Sequence, residues 1–159
     1  MVFAAIFSAV TAIVMSLTRF ANAGLDVMPC NATTNGATFM ISDFTGGISK
    51  YTGGESFAFY LNTTYNDYHS GCSGSIGKGK FDNGLQWCST RIPGWNASYI
   101  MTRTHEVLVN HDFLCSMDDG AVVTAHAEGV TRLQVTSMPN GRLVMQPESS
   151  VFNASVKIY

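Results

Sequence analysis

Arg103, His105 and Glu106, with His126 further on, are the residues through which this sequence could most directly perform catalysis. Together they could supply a general base, a general acid and a cation for a phosphate, the set a small extracellular ribonuclease needs. Any chain of this length contains such residues, so a ribonuclease-like hydrolase stands only as the alternative. His105-Glu106 and His111 also resemble part of a zinc-protease helix, but that motif spaces its histidines four apart, and here they are six apart. On a strand, that even spacing would put both rings on one face, where two zinc ligands could sit. No third ligand is evident beyond His126 or Glu128, so surface or half-buried histidines are expected. No metal and no cofactor are expected.

Gly74-Ser75-Ile76-Gly77-Lys78-Gly79-Lys80 satisfies the G-x-x-x-x-G-K part of a phosphate loop. Phe81 follows, where that motif needs Ser or Thr to hold magnesium. The stretch reads instead as a flexible loop between two cysteines. Asp118-Asp119 precedes Gly120 and reads as a turn rather than paired glycosidase carboxylates. No G-x-S-x-G nucleophile elbow is present, and no residue is assigned a catalytic role. Trp87, Trp95, Tyr51, Tyr60, Tyr65 and Tyr68 could furnish a sugar- or aromatic-binding face. Trp87, beside Cys88, reads as core filling, whereas Tyr65, Tyr68 and Trp95 are the expected binding surface.

Residues that do chemistry must be held, and the four cysteines say how. Cys30, Cys72, Cys88 and Cys115 form an even set with no metal-ligand spacing. Three pairings are possible, of which Cys72–Cys88 as a local staple and Cys30–Cys115 as a long-range one are favoured. Disulfides imply an oxidising compartment, and the N-terminus agrees. Residues 2–17 carry no charge, and Ala21-Asn22-Ala23 presents small residues at the positions a signal peptidase reads. The expectation is a signal peptide at 1–23 and one secreted domain at 24–159. The apolar run is shorter than the ~20 residues that span a bilayer, and no later segment resembles a span. No membrane association is therefore expected once the leader is removed. Four sequons begin at Asn31, Asn62, Asn96 and Asn153, and each glycan would have to point into solvent. A net charge of −2 with no basic stripe argues against nucleic acid.

Period-two patterning dominates the rest. Phe39 and Ile41, then Phe57, Phe59 and Leu61, then Phe152, Ala154, Val156 and Ile158 alternate with polar or small residues, as half-buried strands do. Further strands are expected at 85–89, 98–103, 106–112, 121–127, 131–136 and 142–146. Turns are expected at Gly46-Gly47, Gly53-Gly54, Asp82-Asn83-Gly84, Asp118-Asp119-Gly120 and Pro139-Asn140-Gly141. The fold class is therefore all-β: a compact, disulfide-stapled β-barrel or β-sandwich of antiparallel strands.

Cys30, Phe39-Met-Ile-Ser-Asp-Phe44, Ser56-Phe-Ala-Phe-Tyr-Leu61, Cys72-Ser73 and Trp87-Cys88 occur in an order that resembles the Alternaria major allergen family of small secreted fungal proteins. Ala125-His-Ala-Glu-Gly129 is a looser match. The resemblance covers about Cys30 to Thr136. It implies a β-barrel or sandwich, secretion by a fungus, no known enzymatic activity, and an effector, elicitor or allergen that binds host defence proteins. Cys72–Cys88 carries over from that pattern. The family also has a second local cysteine pair near its C-terminal end and uses its first cysteine between chains. Here Cys115 stands alone and is left to Cys30, so the disulfide dimer does not carry over. The overall expectation is a non-enzymatic secreted protein, monomeric or weakly dimeric, that binds a host extracellular protein or glycan. A glycan- or cell-wall-binding module is a further alternative.

Overall fold

A computed structural model describes residues 27–49, 51–92, 94–139 and 143–159, without the side chains of 90–92. The signal peptide expected at 1–23 lies outside the described residues. A short helix α1 (Cys30–Thr34) precedes ten strands: β1 (Thr38–Ile48), β2 (Glu55–Thr63), β3 (His69–Ile76), β4 (Gln86–Ile92), β5 (Trp95–Met101), β6 (Glu106–Ser116), β7 (Val122–Ser137), β8 (Leu143–Pro147), β9 (Val151–Asn153) and β10 (Ser155–Ile158). All the strand ladders are antiparallel, and they join into one sheet that curls into a nearly closed barrel. Among the described residues no helix is long and apolar enough to cross a membrane.

Alternation in the sequence sets the register. β6 buries Val107, Val109, His111, Phe113 and Cys115 and turns Glu106, Leu108, Asn110, Asp112 and Leu114 outward. β2 likewise buries Phe57, Phe59 and Leu61. A slip of one residue in either strand would exchange its core face for its solvent face, so the apolar set specifies the pairing. Tyr99, Met101, Phe39, Ile41 and Met145 are among the residues that join them in the interior. Thr63, the last residue of β2, and Tyr65 beyond it continue the inward series.

The sheet runs β3-β2-β1-β8-β7-β6-β5-β4, so β3 and β4 are its two ends. No backbone ladder joins them among the described residues. Their meeting line is closed covalently by Cys72–Cys88, whose Cα atoms stand 4.3 Å apart. Cys30–Cys115, at 4.9 Å, ties α1 to the end of β6. Both favoured pairings are therefore present, and no cysteine is free.

β1 and β7 are bridged differently along their length. At one end β8 lies between them, pairing Ile48 with Leu143 and Ser137 with Leu143 from opposite sides. Towards the other end β9 pairs with β1 at Thr38–Met40 and β10 pairs with β7 at Ala125–Glu128. The segment changes partner at Ala154. Gly129 permits that crossing, because a Cβ there would stand 2.8 Å from the Asn153 carbonyl oxygen and 2.8 Å from the Phe39 ring. Gly129→Ala is expected to lower unfolding free energy by about 1–3 kcal/mol through this overpacking. Urea unfolding checks it, and an unchanged midpoint would refute the close approach.

Several expected boundaries move. The segments 121–127 and 131–136 are one strand, β7, because Glu128-Gly129-Val130 stays paired with β6. Gly46-Gly47 is not a turn but lies inside β1, after a register shift between Ser42 and Thr45 where Asp43 takes φ +50°. Gly74 lies inside β3, not in a flexible loop. It faces inward, where an added Cβ would meet the Tyr99 hydroxyl at 2.7 Å. The phosphate-loop-like glycines are thus split between a strand and a turn. Gly84 takes φ +66° and donates its N–H to the Asp82 carboxylate, as an Asp-x-Gly turn should. Asn140-Gly141 lies outside the described residues, although β7 and β8 pair on either side of it.

Candidate functional site

Tyr65 and Tyr68 are not an exposed surface: they are 4% and 2% exposed. The β2–β3 connection folds back over the barrel mouth, and both rings enter the core around His111. The Tyr65 hydroxyl and His111 Nδ1 share a hydrogen bond of 3.0 Å. The Tyr68 ring lies 4.4 Å from the imidazole, and Phe113 stacks on it at 5.3 Å. Burial, reinforced by the charge His126 would carry, lowers the His111 pKa to about 3. Burial raises Tyr65 well above the usual phenol range and pushes Tyr99 up to about 12. Such a cluster holds neutral groups in apolar surroundings, and its chemistry is packing. Trp95 is half-buried against the core with its indole N–H enclosed and unpaired, so it does not extend a binding face either.

The ribonuclease-like residues are not brought together. Glu106 meets Arg132 across β6–β7 (3.4 Å) and accepts a hydrogen bond from Thr104. Arg103 points elsewhere, donating to the Gly77 carbonyl at 2.9 Å. His126 pairs with Asp112 at 2.6 Å, six residues along β6 from Glu106, or about 20 Å at strand rise. His105 lies before β6 with φ +60°, while His111 points inward. The two rings therefore do not share a strand face as their spacing suggested. His69 hydrogen-bonds Asn62 and stacks on Tyr60. Among the described residues no three His, Cys, Asp or Glu side chains are grouped to hold a metal.

The outer face of β4–β7 carries what the sequence reading missed. Ile100 pairs with Leu108, and Leu108 with Val130. Leu85, next to Gln86, continues the β4–β5 register opposite Ile100. Four apolar side chains therefore cross the strands in one outward row at the ladder spacing of about 4.8 Å. Leu85, Val130 and the adjacent Trp87 are 53%, 54% and 46% exposed. Trp87 is thus not core filling: Cys88 points inward, so its neighbour must point out. Polar pairs flank the row, Glu106 with Arg132 on one side and Asn110 with Glu128 on the other. An apolar centre inside a polar rim is the composition of protein-docking surfaces.

The sequon residues are distributed unevenly. Asn31 (α1), Asn62 (β2), Asn96 (β5) and Asn153 (β9) are exposed or half-exposed. Asn62 lies opposite Met40 and Asn153 opposite Thr38, at the start of β1. Asn96 lies opposite Asp112 near the end of β6, whose Ser116 bonds Met28 just before α1. All four therefore belong to the same half of the barrel. No family model, curated protein or solved structure matches this chain.

Proposed function

We propose that this chain is a secreted, effector-like or allergen-like protein that acts without catalysis by binding a host extracellular or defence protein. The outer face of β4–β7 is the contact surface. One observation carries the reading: Leu85, Trp87, Ile100, Leu108 and Val130 lie together on that face, and Leu85, Trp87 and Val130 are each about half exposed (53%, 46% and 54%). Burying such side chains drives association, and tryptophan is among the residue types most enriched where binding energy concentrates. The resemblance to the Alternaria major allergen family supports fungal origin and a host-facing role. Two disulfides favour an oxidising compartment. The glycan-binding alternative is weakened, because Tyr65 and Tyr68 lie in the core rather than in an exposed aromatic row.

Capture from host extracellular fluid tests the proposal. Trp87→Ala is expected to weaken capture of the retained protein at least about tenfold, the loss expected of a buried tryptophan anchor. Val130→Asp should do the same by placing a charge in the patch. Equal capture by the wild type and both variants would move the contact surface elsewhere.

A further inference from the structure

The end of the barrel remote from the sequons combines exposed apolar loop tips with cations that pair with no described carboxylate. Phe81 sits in the β3–β4 connection and is 67% exposed. Its backbone is nevertheless fixed. Its carbonyl accepts the Arg103 N–H at 2.9 Å, Arg103 also donates to the Gly77 carbonyl, and Asn83 bonds the Met101 backbone through both its N–H and its side-chain oxygen. A tied-down loop thus holds a phenyl ring out into water.

Tyr51, 98% exposed, tops the β1–β2 loop, which is closed by bonds from Gly53 to Ser49 and from Ser49 to Gly54. The stem of Lys78 lies 4.0 Å from where a Gly53 Cβ would be, so the two loops are neighbours. Met138, 45% exposed, belongs to the β7–β8 connection, which β1–β8 pairing places beside the β1–β2 loop. Lys78, Lys80 and Arg103 form no ion pair with a described residue. Two of the acidic groups at this end are paired or buried: Glu106 is paired with Arg132, and Glu55 is 7% exposed. Asp82, held by its own loop's Gly84 N–H, and Glu148, near Arg132, keep their charge and partly offset the three cations. Asp67, Asp118 and Asp119 stand at the opposite end.

We propose that this loop end docks peripherally on an anionic phospholipid bilayer, with Phe81, Tyr51 and Met138 entering the headgroup region and Lys78, Lys80 and Arg103 facing lipid phosphates. Charge complementarity selects an anionic partner. The apolar tips select a bilayer over a polyanionic chain, because three separate loops present side chains that only an interface with an apolar interior can accept. The acidic opposite end adds an orienting repulsion. This goes beyond the protein-binding reading and uses a different surface. It also revises the expectation of no membrane association, which considered only membrane-spanning segments.

Flotation of the disulfide-bonded protein with vesicles of phosphatidylcholine alone, or with added phosphatidylserine, decides the matter. Binding is expected only with phosphatidylserine. Phe81→Ala should weaken it about tenfold, and Lys78→Glu with Lys80→Glu by about tenfold or more, with loss of its salt sensitivity. Trp87→Ala should leave vesicle binding unchanged, and Phe81→Ala should leave host-protein capture unchanged, so the two surfaces stand or fall separately. Absence of flotation, equal flotation with both vesicles, or flotation indifferent to these variants overturns the proposal. So does retention on a soluble sulfated polysaccharide, with the same lysine dependence, by a protein that ignores vesicles.

Discussion

Replacing Cys30 and Cys115 together by alanine is expected to lower the unfolding free energy by about 4–5 kcal/mol, while the same change at Cys72 and Cys88 costs about 3 kcal/mol. The difference follows from the loops the two bridges close, with sequence separations of 85 and 16 residues. Restricting the longer loop removes more freedom from the unfolded chain. The native state adds a second contrast. Cys115 is joined to the rest of the barrel by the full ladder of β6 with β7, eleven registered pairs long. Cys72 and Cys88 lie on strands that, among the described residues, no ladder joins to each other. Removing the shorter bridge should therefore speed hydrogen exchange along β3 and β4 selectively, although its global cost is the smaller. Urea unfolding of both variants with site-resolved exchange checks this. Equal global costs, or seam exchange no faster without Cys72–Cys88, would count against it.

Acid is the second strong expectation. His111 titrates near pH 3 when folded and near 6.5 when unfolded. The unfolded chain therefore takes up the proton first, and stability is complete above about pH 6.5 and lost as pH falls towards 3. The full difference corresponds to about 5 kcal/mol, and about 2–3 kcal/mol should already be gone near pH 4.5. His111→Phe fits beside Phe113 but deprives the Tyr65 hydroxyl of its partner. It should lower stability at pH 7 by about 1–3 kcal/mol and flatten the decline between pH 6.5 and 3. A decline as steep as the wild type's would exonerate His111. The exposed Glu128–Lys157 pair holds the Glu128 carboxyl below its usual range, so the stability it adds at neutral pH also fades in acid.

Most of the barrel was legible because its strands obey one rule. In β2 the inward positions Phe57, Phe59 and Leu61, and in β6 Val107, Val109, Phe113 and Cys115, are apolar and enter the core, so pattern and structure largely coincide, with His111 the polar member of the β6 series. β3 was not legible. His69-Ser-Gly-Cys-Ser-Gly-Ser-Ile76 carries two glycines and three serines, whose intrinsic strand preference is poor. Its place is fixed by pairing with β2 and by the bridge to β4. Tyr65 was misplaced because it stands near Gly-rich loops, and loops usually lie at the surface. Continuing the alternation of Phe57, Phe59 and Leu61 through Thr63 reaches Tyr65 on the inner face, so the signal was present. Trp87 was misplaced by its proximity to Cys88, although adjacent residues on a strand face opposite ways. The outward row on β4–β7 was hidden for a different reason. Leu85, Ile100, Leu108 and Val130 are far apart in sequence and become neighbours only once the strand register is known.

The change of partner at Ala154 bears on how the protein is made. β1 leaves the ribosome before every other described strand, yet Phe39 meets its partner Phe152 only after more than a hundred further residues have been added. Until residue 158 has emerged, β1 and β7 both present unpaired backbone where β9 and β10 will lie, and such edges invite pairing with other chains. Vectorial synthesis thus leaves a nascent barrel open along one side until its last stave arrives, and contacts of such long range are slow to form.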